Sequence, residues 1–276
     1  MTASAYKMAA GNYAIRIEDR SYGEVGQLTE SFNTLAQSLE AASKVSQNLE
    51  QIRRDYVANI SHELRTPLSS IRAVSETLLD SMVQTDEEKI KAYQRIWNES
   101  IRLQNLINDM LELSRLQSGQ ASLEKQAVNI GELLEQVHER FSEVGDDLGI
   151  ELKQELDTKH IPLGMTNRNR IEQVLIILID NAFKFTPDGG TVTISARWDD
   201  QDIFVRVRDT GPGISADDLS FIFDRFYKAD KAHSEKGTGL GLAIAKQIMT
   251  ALGETIQVAS ELGKGTSFTF SIKRAG

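Results

Sequence analysis

The sequence predicts a multidomain protein: a helical segment running into a coiled coil, a two-helix hairpin that dimerises to a four-helix bundle, and an α/β sandwich. Three observations predict it. From Val25 an apolar stripe passes through Leu28, Phe32, Leu35, Leu39 and Ala42 at alternating spacings of three and four, the seam of a coiled coil. Two further stripes at heptad spacing follow, Val57, Ile60, Leu64, Pro67, Ile71, Val74 and Leu78, then Ile96, Leu103, Leu106, Met110 and Leu113. Two helices this apolar cannot bury themselves in isolation, and pairing with a second copy is the natural solution. Beyond residue 120, strand-like runs at 191–197, 203–209, 255–260 and 266–272 interleave with helical stretches at 130–144, 169–185 and 240–252, which suggests helices on one face of a mixed sheet.

Taken in order, residues 1–43 are mostly helical in pattern, broken at Gly11-Asn12-Tyr13 and Ser21-Tyr22-Gly23. The seam slips phase near 43–47 and resumes at Leu49, Ile52 and Tyr56, as where two coiled segments of different packing join. The hairpin occupies about 44–118. Thr85-Asp86-Glu87-Glu88 reads as the start of its second helix, with a hydroxyl cap and acids in the first turn, and Ser118-Gly119 as its end. The α/β part takes 119–276, where glycine-rich loops separate the elements and no internal repeat is visible.

Composition excludes several function classes. With 276 residues the chain has room for two or three modest domains. Its net charge of -9 disfavours tight non-specific binding of nucleic acid, because an anionic surface cannot displace counterions from phosphates. The absence of cysteine rules out a disulfide framework, a thiolate metal site and a thiol nucleophile. No apolar run is long enough to cross a bilayer, and residues 1–10 lack the layout of a signal peptide.

The chemistry-bearing residues are led by Ser61-His62-Glu63-Leu64-Arg65-Thr66-Pro67. With Val57, Ile60 and Leu64 on the seam, His62 faces solvent, and Thr66 shares that face one turn on. Glu63 can hold one imidazole tautomer and leave the other nitrogen nucleophilic. Pro67 removes a hydrogen bond to the Glu63 carbonyl and is expected to bend the helix beside the histidine. Three glycine loops follow downstream: Asp209-Thr210-Gly211-Pro212-Gly213 after a strand, Gly237-Thr238-Gly239-Leu240-Gly241-Leu242 opening a helix, and Gly263-Lys264-Gly265-Thr266 before the last strand. Glycines let backbone approach a phosphate closely, and a helix N-terminus offers it free N–H groups. The second loop is not a Walker A loop, since no G-K-[ST] follows at the required spacing. His138, His160 and His233 read as solvated or locally bonded, and Trp97 and Trp198 as packing residues.

In this order the motifs resemble those of sensor histidine kinases. His62 to Pro67 is similar to the H box, Asn181 with Lys184 to the N box, Asp209 to Gly213 to the first glycine box, and Phe223-Asp224-Arg225-Phe226-Tyr227 to the F box. Gly237 to Leu242 is similar to the second glycine box and Gly263 to Thr266 to the final loop, so the resemblance covers about 48–276. Glu24-Val25-Gly26-Gln27-Leu28 resembles the later part of a HAMP signal relay whose first helix is truncated. The resemblance implies a Bergerat-type ATP-binding domain, ATP and Mg²⁺ as cofactors, a homodimer, a response regulator receiver domain as partner, and the cytoplasmic portion of a membrane sensor.

Carried over residue by residue, His62 is implied as phosphoacceptor, Glu63 as the group that takes its proton, and Thr66 as the residue that positions a water for dephosphorylating a partner's phospho-aspartate. Asp209 is implied to accept from the adenine amino group, with Gly211, Gly213, Ile214 and Thr266 around it. Asn181 is implied at Mg²⁺ and the phosphates, Lys184 at the phosphates and Phe185 by the base. Tyr227 and Lys228 are implied to approach the triphosphate from a lid spanning 214–236, and Gly237, Thr238, Gly239, Leu240, Gly241 and Leu242 to cradle phosphates. Lys228 stands where the family often has arginine and keeps the charge without the planar two-point grip.

Two departures bear on this. Asn167 and Asn169 stand where acids are more usual, and both are good caps for the helix that follows. Ile177 stands one turn before Asn181, where the family usually has a second asparagine, and isoleucine offers a hard cation no oxygen. It is the one feature favouring an alternative: a weakened kinase acting as a signalling scaffold and phosphatase. An ATPase of the chaperone or topoisomerase type needs a glutamate at that position and leaves His62 without purpose. Reduced but measurable autokinase activity is expected, rising in rate or changing in Mg²⁺ dependence in Ile177→Asn. An unchanged rate and unchanged Mg²⁺ titration in that variant would count against the reading of Ile177.

Overall fold

The computed structural model describes residues 2–18, 23–80, 82, 85–119, 123–155, 160–228 and 237–275, without the side chain of Leu49. The expected break at Ser21-Tyr22, the seam position of Leu49, most of the hairpin turn near 81–84, and the charged lid end at 229–236 with His233 lie outside the described residues. Met1–Glu63 and Leu64–Gly276 form two compact units.

In the first unit, α1 (Thr2–Ala9) ends in a Schellman motif, Gly11 at φ 93° and Asn12 returning their N–H groups to the carbonyls of Met8 and Lys7. The break predicted at Gly11-Asn12-Tyr13 is present, and residues 14–18 also run without helix, against the mostly helical pattern read from the sequence. Asn33, on α2 (Glu24–Leu79), accounts for the difference. Its side-chain oxygen accepts from the Ile17 N–H at 2.8 Å and its amide donates to the Ile17 carbonyl at 3.0 Å. Both backbone groups of Ile17 are thus satisfied sideways rather than along a helix axis. Arg16 adds an ion pair to Glu40 at 2.8 Å. Thr29 and Ala36 are buried, whereas Val25, Leu28 and Leu35 of the predicted seam are exposed within one chain. Helix α2 is continuous through the phase slip and through Pro67.

In the second unit, α3 (Asp86–Gln117) starts where the sequence predicts. Thr85 accepts from the Glu88 N–H and Glu88 accepts from the Thr85 N–H, each at 3.2 Å, a complete capping box. Leu106, Leu113 and Leu116 are buried in the same core as the α/β part. Trp97 is 67% exposed and Trp198 39%, so neither is the packing residue expected within one chain.

The remaining elements are β1 (Gln126–Asn129), α4 (Ile130–Asp147), β2 (Glu151–Glu155), β3 (Leu163–Thr166), α5 (Arg168–Phe185), β4 (Thr191–Trp198), β5 (Asp202–Asp209), α6 (Ala216–Leu219), α7 (Gly241–Ala251), β6 (Ile256–Glu261) and β7 (Gly265–Lys273). The sheet order is β2-β4-β5-β7-β6, with β2 parallel to β4 and the other pairs antiparallel; β1 and β3 form a separate ribbon. Strict alternation gives the sheet one apolar face. Ile194, Val207 and Phe268 are buried in register, as are Val205 with Phe270 and Ile203 with Ile272. Arg206 and Arg208 alternate with them and are exposed. The apolar face takes α4, α5 and α7, whose buried stripes include Leu134, Leu178 and Ile248. Asn167 caps α5 by accepting from the Arg170 N–H at 3.2 Å, whereas Asn169 lies inside the helix and is no cap.

Removing the capping hydroxyl in Thr85→Ala is expected to cost about 1 kcal/mol. A denaturation midpoint that does not fall would show that packing alone sets the start of α3.

Candidate functional site

The ends of β5 and β7 meet at a buried carboxylate. Asp209 closes β5, is 5% exposed, and its Oδ1 accepts from the N–H groups of Gly211 at 2.9 Å and Thr266 at 3.1 Å. Burial pushes its carboxyl above the ordinary aspartate range, and the two backbone donors oppose that push. Gly265, at φ 95°, lies so close that a Cβ there would stand 2.0 Å from the Asp209 carbonyl oxygen. Ser260 ties the same corner, accepting from the Ile214 N–H at 2.8 Å and donating to the Gly265 carbonyl at 2.9 Å. The Gly263 N–H reaches the Pro212 carbonyl at 2.7 Å, so the first and third glycine loops are stitched together, with Gly213 between Pro212 and Ile214.

Beside this corner a cleft of about 440 Å³ is lined by Lys184, Phe185, Thr186, Thr210, Gly211 and Gly263 among others. Helix α5 supplies the first two from its last turn. Its other face, with Leu175, Leu178, Ala182 and Phe183, is core, so Asn181 and Lys184 are half-buried and Phe185 is exposed. The Lys184 ammonium lies 5.4 Å from the centre of the Phe185 ring and 2.1 Å from where a Cβ on Gly237 would be. The sequence-predicted residues of the N box and of the second glycine loop are therefore together.

That loop leads into α7. Leu240, at the N-cap, is fully buried and has no side chain to cap the helix. Thr238 compensates in part: its hydroxyl oxygen accepts from the Leu240 N–H at 3.2 Å. The same hydroxyl donates to Asp109 Oδ2 on α3 at 2.9 Å. Ile177 and Gly241 line a second cleft of about 320 Å³ with Asp109 and Gln173, and Ile177 Cγ2 would touch a Cβ on Gly241 at 3.4 Å. Leu242 is half-buried against the core.

Between the loops, α6 is capped by Ser215, and Phe226 sits in the left-handed region at φ 62° with its N–H bonded to the Gly239 carbonyl at 2.9 Å. Tyr227 donates its hydroxyl to Asp218 and packs its ring 5.7 Å from that of Phe221. Its polar end is thus engaged within its own segment. Lys228 is half-buried at the edge of the described residues.

The residues of the histidine motif lie on α2. His62 and Thr66 are exposed and Glu63 is half-buried, while Ser61 donates to the Val57 carbonyl at 2.9 Å. His138 bonds the Leu152 carbonyl at 3.1 Å, the locally bonded role expected of it. Asp109 is the site residue that sequence reading missed. Its signal is a carboxylate beside the apolar line of Leu106, Met110 and Leu113. Among the described residues no group of three His, Asp or Glu side chains could hold a metal ion, and no helix is long and apolar enough to cross a membrane.

Comparison with known families accords with this geometry. Residues 166–276 match the histidine kinase-, DNA gyrase B- and HSP90-like ATPase family, residues 52–119 the His Kinase A (phospho-acceptor) domain, and residues 1–41 the HAMP domain. The sensor protein SrrB of Staphylococcus aureus is 36% identical over 229 residues, 82% of this chain and 39% of that protein. The chain belongs to the sensor histidine kinase family of two-component systems. It spans well under half the length of the curated relatives it matches. Two solved structures resemble this histidine kinase. Full-length ShkA in complex with AMPPNP superposes with a TM-score of 0.59 at 32% identity, over 80% of this chain and 46% of that one. Histidine kinase ThkA in complex with the response regulator protein TrrA gives a TM-score of 0.68 at 26% identity, over 83% and 64% of the two chains.

Asp209→Ala leaves two buried N–H groups without their acceptor and is expected to cost about 2 kcal/mol. Asp209→Asn keeps an oxygen there and is expected to cost less than half as much. Equal losses for the two variants in chemical denaturation would mean that the Oδ1 clamp is not what stabilises the corner.

Proposed function

We propose that this kinase autophosphorylates on His62 from ATP and passes the phosphoryl group to an aspartate of a response regulator receiver domain. The observation that carries the reading is Asp209: a buried carboxylate whose Oδ1 is fixed by two backbone N–H groups, so that it is oriented to accept a ligand N–H beside a cleft lined by Lys184, Phe185 and Gly211. An adenine amino group is such a donor, and the AMPPNP complex of ShkA supports a nucleotide at a site of this kind. Gly211, Gly213, Ile214 and Thr266 frame the base, with Phe185 beside it. Lys184 and the uncapped start of α7, from Gly237 through Thr238, Gly239, Leu240 and Gly241 to Leu242, take the phosphates. Tyr227 and Lys228 act from the lid, and for Tyr227 this requires release of its hydroxyl from Asp218.

In the reaction an imidazole nitrogen of His62 attacks the γ-phosphorus, a P–N bond forms, the bond to the β-phosphate oxygen breaks, and ADP leaves. Glu63 holds the ring and takes its proton. Mg²⁺, when bound, neutralises charge on the phosphates. On the protein side Asn181 would supply an oxygen to it, and Ile177 would supply none. The family match over residues 52–119 supports a homodimer whose hairpins form a four-helix bundle, and the ThkA–TrrA complex supports a receiver domain as partner. The relay segment at 1–43, the hairpin at 44–118 and the ATP-binding domain at 119–276 divide these tasks. Likeness to a sensor protein supports a membrane anchor upstream and a cytoplasmic location for this portion.

Ile177 favours a second reading, in which kinase activity is weak and the chain acts mainly as a scaffold and phosphatase through Thr66. Incubation with γ-labelled ATP and Mg²⁺ separates the two. The first reading expects acid-labile label on the chain and none on His62→Gln; undiminished label on His62→Gln would sink it. Binding of ATP with negligible label, together with Thr66-dependent dephosphorylation of a receiver domain, would establish the second.

A further inference from the structure

The hydroxyl of Thr238 stands in the loop read above as the phosphate cradle, yet its proton is already committed to Asp109 of the hairpin helix α3. Asp109 and Gly241 also line one cleft, so a carboxylate lies beside the start of α7, where free N–H groups attract an anion. The arrangement is built rather than incidental. One turn along α3, Glu112 pairs with Arg170 of α5, and Leu106 and Leu113 on the same face are buried. Asp109 is half-buried, and burial raises its carboxyl while the Thr238 bond opposes that rise. Of the charged groups around it, Glu172 lines the same cleft, and Arg170 is engaged by Glu112.

We propose that Asp109 is a specificity-determining residue that sets the preference of the site between nucleoside triphosphate and diphosphate, by competing with the polyphosphate for Thr238 and the start of α7. The inference rests on the reading that the 237–242 loop takes phosphates. A carboxylate and a phosphate held close together repel, and the repulsion grows with the charge of the polyphosphate. The triphosphate meets the larger penalty. While Asp109 holds Thr238 the site tolerates the product-like nucleotide and resists the substrate-like one; once the triphosphate displaces Asp109, the hairpin loses its hold on the loop.

The test is binding of ATP and of ADP, each with Mg²⁺, to the full chain and to Asp109→Ala, Asp109→Asn and Glu112→Gln. Both Asp109 variants are expected to tighten ATP by about fivefold and ADP by less than about twofold, because both remove the charge. Glu112→Gln loosens the same helix contact without touching Thr238 and is expected to leave the ratio of the two affinities unchanged. Equal shifts for ATP and ADP, no shift, or a ratio that moves as much in Glu112→Gln would overturn the inference while leaving the nucleotide site standing. Failure of either nucleotide to bind any of the four proteins would overturn both.

Discussion

Asp209 occupies the last position of β5 with one oxygen shared between the N–H groups of Gly211 and Thr266. Gly211 belongs to the loop after β5 and Thr266 to the start of β7, so one carboxylate fixes where β5 ends and where β7 begins. The contact works only because Gly265 has no side chain, since any Cβ would overlap the Asp209 carbonyl. Burying the carboxylate has a cost, visible in its raised pKa, and the paired donors offset it. Ser260 and the Gly263–Pro212 bond brace the same corner, so the cleft beside it is preorganised before any ligand arrives.

What the sequence makes legible follows local physics. Thr85 and Glu88 announce the start of α3 because a capping box is four residues of self-contained chemistry. Strands β4, β5 and β7 show themselves through alternation, each having one buried face. Strands β1, β2 and β3 do not: the first and third have four residues each, and β2 reads Glu-Leu-Lys-Gln-Glu at the sheet edge with Leu152 alone fully inward. The break at Gly11-Asn12-Tyr13 is legible in its glycine, but its extension through 14–18 is not, because Asn33, sixteen residues beyond Ile17, decides it.

The site divides along the same line. Glycine spacing and the isolated histidine motif could be read directly, since each is set by residue type at short range. Partners brought together by the fold could not. Nothing near Asp109 in sequence points to Thr238, 129 residues away, and nothing in the lid motif says that Tyr227 turns to Asp218. The exposure of Trp97 is of this kind too. Its neighbours on α3, Ile90, Tyr93 and Ile101, are exposed with it, an apolar strip that one chain leaves uncovered.

Phe226 gives the lid segment a mechanical character. A bulky residue at φ 62° sits in a region that L-amino acids enter at a cost of about 1 kcal/mol, and here the bond from its N–H to Gly239 keeps it there. The bond to Gly239 is therefore a catch on a strained segment. That catch lies on the very loop that leads into α7, so a displacement of Gly239 would let the backbone at Phe226 relax.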